Sequence, residues 1–370
     1  MKLSKKVKIS IITIFIFFSI FITNVLYNSW SLNPLAWSPP TISKLDGLLS
    51  ENELLSTTKR IELNGWFGPE DIAIDNQGNL YCGVHISKTD FTDGRILKID
   101  TSGKVTVFAN SESWVTGMHF DSNQNLIAGD LERGLISIDQ NGNIKTLASE
   151  DENGNKFLIP NDVDIASDGV IYFTNTSSKL NFSNKHIWKL LMEVRPDGGL
   201  YSYDPKTKRV KTLIDGTYFG NGVAVSQNDE FVLMVDLAKY RVRRYWLKGE
   251  KKGTTDIFID NLNGFPNGIS RSKDGSFWLG FSTKRDESLD KIHPKPLIKK
   301  IVYGLPSFMQ PKTIPYGMLM HLNSNGEIIK TYYDTTGKFV AEATSVEEHN
   351  GYLYLGGDVS GHIGKYKLEK

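Results

Sequence analysis

The sequence predicts an all-β chain, a six-bladed β-propeller carried behind one N-terminal transmembrane helix. Three observations lead there. A long uncharged apolar run opens the chain, a strand–turn–strand phrase recurs six times after it, and most of those phrases lie about 45 residues apart, the length of a four-stranded blade.

The apolar run comes first. Lys2, Lys5, Lys6 and Lys8 precede residues 9–27, which carry no charge and are rich in Ile and Phe. Those 19 residues are enough to cross a hydrocarbon core of ~30 Å as a helix. A secretory signal would need a shorter core and a small-residue cleavage site, and residues 24–30 offer none, so an uncleaved anchor is favoured over a cleaved signal. No Lys or Arg follows until Lys44, so the positive-inside rule puts the N-terminus in the cytoplasm and the remainder on the other side. The chain divides into a cytoplasmic tail and anchor (1–30), a Pro- and Ser-containing tether (31–57) and the propeller (58–370).

The repeats come next. DIAIDNQGNLYCG (71–83), GMHFDSNQNLIAG (117–129), DVDIASDGVIYFT (162–174), GVAVSQNDEFVLMV (222–235), GISRSKDGSFWLG (268–280) and SVEEHNGYLYLGG (345–357) share one form. Alternating apolar residues make a half-buried strand, and a turn of Asn, Asp and Gly reverses it. Further strand pairs follow in GRILKIDTSGKVTVFA (94–109) and GLISIDQNGNIKTLA (134–148), so each copy expands to four strands. The equivalent residues Leu80, Leu126, Ile171, Val232, Phe277 and Leu353 are spaced by 46, 45, 61, 45 and 76, which puts insertions after Thr174 and Ser282. TTKRIELNG (57–65) is a strand left over at the start, suited to completing the last blade. A parallel β-helix, the main rival, repeats every 20–25 residues or so and fits less well. Within the insertions, residues 185–194 read as helical, and 283–317 mixes apolar residues with Lys and Pro. Either could be a lid, a membrane-facing flap or a plain surface excursion.

Composition excludes some functions. A net charge of +1 supplies no basic face for nucleic acid. Cys82 is the only cysteine, so no internal disulfide forms. Asn175 and Asn181 match the N-x-S/T pattern, which matters only in a glycosylating compartment.

Polar residues recur at one phase of the repeats. Glu70 (GPED), Asn161 (PND), Asn221 (GNG) and Asn267 (PNG) each stand at or just before an innermost strand, and a ring fold gathers such positions around its axis. Taken singly, the Asn-Gly pairs are ordinary turn formers. Together they offer oxygen donors of the kind calcium prefers.

The segments GPEDIAID (68–75), FLIPNDVDIASDGVIYFTNTSSK (157–179), YFGNGVAVSQNDEFVLMVD (218–236), RVRRYWLKG (241–249), GFPNGISRSKDGSFWLGFST (264–283) and VEEHNGYLYLG (346–356) resemble the strictosidine synthase-like family over residues 60–368. They are more distantly similar to paraoxonase and gluconolactonase propellers. The resemblance implies a central calcium held by Glu70, Asn161, Asn221 and Asn267. Relatives usually carry Asp at the position of Asn267, and the lower charge here implies weaker binding. It also implies that Thr344 replaces the catalytic glutamate of strictosidine synthase, so the amine condensation is not expected. Thr116 stands where paraoxonase-like lactonases have a histidine. His119 differs from Thr116 by an odd number on the strand, which turns it to the other face and suggests a packed side chain. His85 and His349 lie near loops and carry little weight.

The leading functional expectation is a membrane-anchored, calcium-dependent hydrolase of small-molecule esters or lactones, of arylesterase or lactonase type. Glu70 would ligate the metal, and Asp162 and Asp236 are the candidate bases. The alternative is a non-catalytic propeller acting as scaffold or receptor.

Overall fold

In the computed structural model, which describes residues 4–87 and 91–369, strand and turn chemistry combine as the repeats predict. Several of the tight turns grow from an aspartate. Asp75 Oδ1 accepts the N–H groups of Gln77 (2.9 Å) and Asn79 (2.8 Å), and Asp121, Asp139 and Asp151 repeat the pattern two and four residues on. The side chain thus closes the turn that the following Gly or Asn permits. Strands built on these turns form six sheets of four strands each, all paired as antiparallel neighbours. Five blades are continuous in the chain, and the sixth is completed by Lys59–Glu62 pairing with His362–Lys367, the closure expected from residues 57–65.

The innermost strands are Ile72–Ile74, Val115–Phe120, Pro160–Ile165, Gly220–Val225, Gly264–Arg271 and Val346–His349. Each touches the next, and the first touches the last, so the ring closes. Apolar side chains fill the wedges between blades. Phe157, Phe173, Tyr201 and Ile127 fill one such wedge, and Leu55, Trp278, Leu319 and Leu353 another. Hydroxyls add stitches from blade to blade. Thr116 Oγ1 donates to Pro160 O (2.8 Å), Thr176 Oγ1 to Gly220 O (2.7 Å) and Thr344 Oγ1 to Glu70 O (2.8 Å).

The chain falls into two compact units. The blade unit comprises residues 40–186, 196–285 and 314–370. Its first stretch is no free tether. Leu55 is fully buried, Asn52 Nδ2 donates to Thr331 O (3.0 Å), and Thr331 Oγ1 donates to Leu48 O (2.6 Å). The helical unit comprises the segment ending at Pro39 with residues 187–195 and 286–313. It holds α1 (Lys5–Ser29), most of α2 (Asn184–Glu193), α3 (Glu287–Ile292) and α4 (Pro296–Gly304). Residues 30–39 are pinned within it as well. Leu35 N donates to Glu193 O (2.9 Å), and the rings of Trp37 and His293 lie 5.1 Å apart. α1 is long and apolar enough to cross a membrane, with a mean hydropathy of 2.5. α2 matches the helix expected at 185–194, while α3 and α4 were hidden by the Pro and Lys content of their insertion.

Candidate functional site

The site is built by irregularities in the innermost strands. Strand pairing slips between Val115 and Met118, Pro160 and Val163, Gly220 and Val223, and Pro266 and Ile269. Such bulges re-aim side chains, and here they fall at Asn161, Asn221 and Asn267. The Asn-Gly pairs are therefore not hairpin turns. Their glycines face the next blade: a Cβ on Gly222 would lie 2.5 Å from Ile269 N, and one on Gly268 would lie 2.4 Å from Thr344 O. Gly222→Ala is expected to destabilise the fold by about 1–3 kcal/mol, read as a lowered unfolding temperature, because backbone cannot yield as a side chain can.

One central cavity is lined by Glu70, Asn161, Asp162, Asn221 and Asn267, which the ring brings together from four blades. Glu70 stands two residues before the strand Ile72–Ile74, Asn161 and Asn221 are second in their strands, and Asn267 is fourth in Gly264–Arg271. Asp71 and Asp162 come next along the same walls, and Asp164, His119, Arg271 and Glu347 lie further along. Asn267 Nδ2 donates to Ser282 Oγ (2.7 Å), which leaves its amide oxygen for the cavity. Asp71 Oδ2 accepts Met118 N–H (2.8 Å), and Asp162 Oδ2 accepts Val223 N–H (2.7 Å), so both acids also brace neighbouring blades.

The hub is short of positive charge. Burial pushes the Glu70 carboxyl well above the usual range, with further upward pressure from Asp358, Asp71, Asp162 and Glu342. Burial and then Asp71 do the same to Asp162, and burial, Asp71 and Asp164 to Glu347. Asp358 is raised by burial and by Glu342. Glu70 Oε2 and Asp358 Oδ1 are buried without a hydrogen-bond partner. Such a set needs protons or a cation. Among the described residues no three His, Cys, Asp or Glu side chains form a metal-ligating group, so a cation would take most donors from amide and other oxygens. An all-oxygen donor set with one orphaned carboxylate oxygen fits calcium.

Other expected residues lie elsewhere. Asp236 does not line the cavity. It is fully buried, and its carboxylate accepts Arg241 Nη2 (2.7 Å) and Tyr218 N–H (2.6 Å), which makes it a structural acid. His85 is fully buried against Phe91 and Trp114. His349 lies outside the cavity lining, with Nε2 2.8 Å from Asn350 Nδ2. His119 differs from expectation: it is exposed, lines the cavity and lies 3.7 Å from Asp164. The bulge between Val115 and Met118 resets the alternation on which the parity argument rests. Asn175 is fully buried, its amide bound to Ile159 N–H and Ser178 Oγ, and has no room for a glycan; Asn181 is exposed. Asp71, Asp164, Glu347 and Asp358 escaped sequence reasoning. The first three sit beside recognised positions in GPED, NDVD and VEEH, a local signal that was available.

Comparison with known proteins agrees with this geometry. A family model described as strictosidine synthase matches residues 161–250, and one described as strictosidine synthase-like, N-terminal, matches residues 47–99. The adipocyte plasma membrane-associated protein of Bos taurus is 33% identical over 348 residues, which cover 87% of this chain and 81% of that protein. Strictosidine synthase-like 3 of Arabidopsis thaliana is 29% identical over 352 residues, covering 89% of this chain and 90% of that protein. Among solved structures, a gluconolactonase from Xanthomonas campestris superposes with a TM-score of 0.61 at 16% identity, covering 91% of this chain and 97% of the other. Regucalcin from Agrobacterium tumefaciens, a calcium-binding protein, superposes with a TM-score of 0.58 at 14% identity, covering 85% and 94%. At these identities the structural likenesses establish the fold alone.

Proposed function

The chain belongs to the strictosidine synthase-like family, and from that premise we propose that it is a membrane-anchored, calcium-assisted hydrolase of small-molecule esters or lactones. The observation that carries the reading is Glu70, a buried carboxylate with an unpartnered oxygen, facing one cavity with three asparagine side chains. The gluconolactonase and the calcium-binding regucalcin with the same fold lend it support.

Glu70 would bind the ion through its carboxylate, and Asn161, Asn221 and Asn267 through amide oxygens. A bound calcium ion would polarise the substrate carbonyl and stabilise negative charge on its oxygen. Asp162 is the group on hand to take a proton from an attacking water. Its raised proton affinity suits that task, and each oxygen keeps a lone pair beyond the N–H it accepts. Thr344, at the position of the strictosidine synthase glutamate, is fully occupied with Glu70 O, which speaks against amine condensation. Lys2 and the lysines in the first turn of α1 would put that end of the helix in the cytoplasm and the blades on the other side.

The test is hydrolysis of γ-lactones and phenyl acetate by the purified full chain. Turnover is expected to fall at least tenfold on chelation, an effect of about 1.4 kcal/mol or more on the barrier, and to return with calcium. Rates indifferent to chelator contradict the mechanism. Calcium binding without turnover favours the scaffold or receptor reading, for which the threonines at positions 116 and 344 already argue.

A further inference from the structure

Within the helical unit, α4 is turned inside out for a helix in water. Its Lys299 is fully buried, with Nζ donating to Leu35 O at 2.7 Å, whereas Leu297 is 70% exposed. Ile298 and Ile301 are exposed as well, and Phe308 (78%) and Met309 in the single turn Ser307–Met309 extend the apolar surface. Soluble helices put their apolar stripe inward and their lysines outward. A helix that does the reverse faces something other than water.

The same helix is joined to α1. Gly304, at its end, lies so close to α1 that a Cβ there would stand 2.2 Å from Val25 O. Val25 is one of only two buried residues of α1, and the rest of that helix presents bare Ile, Phe and Leu side chains. Contact is therefore at the end of α1 away from its lysines, where Tyr27 (80%) and Trp30 (84%) are exposed. Tyr and Trp at a helix end are the side chains that settle at the headgroup level of a bilayer. Lys291, Lys295 and Lys312 are exposed along the same insertion and suit anionic headgroups.

We propose that α4 and the turn after it lie in the interfacial layer of the bilayer that α1 crosses, with Leu297, Ile301 and Phe308 among the acyl chains. The apolar surface of α4 is continuous with that of α1, so one lipid phase covers both. An interfacial helix of this kind enters the headgroup–acyl boundary by about 5–10 Å. This inference rests on the reading of α1 as a membrane span and not on any activity of the hub.

The experiment uses the full chain in vesicles of phosphatidylcholine and phosphatidylglycerol. Cys82 is buried, and a Cys82→Ala background removes it altogether. Single cysteines at L297C, F308C and I16C, all exposed positions, carry the fluorophore NBD. With nitroxide-labelled lipids, I16C should be quenched most by a probe deep in the acyl chain, and L297C and F308C by a probe near the headgroups, with blue-shifted emission. E250C, exposed on a blade hairpin, should keep water-like emission. If I16C is quenched while L297C and F308C stay water-like, α1 spans and the inference about α4 is wrong. If the emission of L297C is blue-shifted without lipid quenching and depends on protein density, a second copy covers α4, which also overturns it. If I16C is not quenched, the span and the inference fall together.

Discussion

Calcium is expected to raise the unfolding temperature of the protein more at pH 8 than at pH 5. The hub explains the sign. Glu70, Asp162, Glu347 and Asp358 all hold their protons more tightly in the folded protein than in the unfolded chain, chiefly through burial and then through one another. As pH climbs through the ordinary carboxylate range, the folded state therefore keeps protons that the unfolded chain loses. Stability from these groups is complete below that range and is lost as pH rises toward their raised folded-state values. At pH 8 the metal-free hub must either keep protons against the solution or hold uncompensated charge. A cation removes that dilemma, and at a hundredfold excess over its dissociation constant it adds about 2.7 kcal/mol. Exposed acids such as Asp100, Asp139 and Asp204 have lowered pKa values, so they finish titrating below pH 5. His321, His349 and His362, pushed down by burial, oppose the trend. None of the three lines the cavity, so the difference between calcium and chelator at each pH cancels them. Calorimetry with calcium or chelator from pH 5 to 8 checks the prediction. A calcium increment that does not grow with pH would show that the ion binds elsewhere or not at all.

The blades were legible because their physics is local. An aspartate or asparagine that folds back onto the second and fourth N–H groups marks many of the hairpins, and alternation marks the strands on either side. Glu70, Asn161, Asn221 and Asn267 were legible for a related reason, since a ring converts equal phase in the repeat into equal height at the axis. What the sequence hid depends on more than one blade. His119 was assigned to the wrong face because bulges, unlike strands, have no period. Asp358 belongs to a loop of the last blade, Gly357 N–H of which bonds Pro69 O in the first, and no repeat announces it. Asp236 has the composition of a candidate base, but its role is decided by Arg241, five residues on. Lys299 shows the limit most sharply, because buried lysine and exposed leucine on one helix contradict any pattern read on the assumption of water.

Glu70→Gln separates function from stability. The substitution keeps the shape of the side chain and removes one buried negative charge that Asp358, Asp71, Asp162 and Glu342 all disfavour. With chelator at pH 8, the variant is therefore expected to unfold at the same temperature as the natural chain or higher, since nothing forces a charge into the hub at that position. Its response to calcium should nearly vanish, because the orphaned Oε2 is the ionic donor of the set and the asparagines supply only dipoles. Hydrolysis should fall by about 100- to 1,000-fold, the scale on which loss of one stabiliser of a developing oxyanion is felt. A residue retained for folding alone would show the opposite pairing, lower stability with activity per folded molecule unchanged. The two readouts therefore divide the possibilities: a stable, calcium-blind, inactive variant places Glu70 at the reacting centre, while an unstable variant that still turns over lactone places it in the scaffold. Buried charge held without a partner is costly, and a hub that gives up stability for it in the absence of metal gains the means to hold a cation and a carbonyl at one point on the axis.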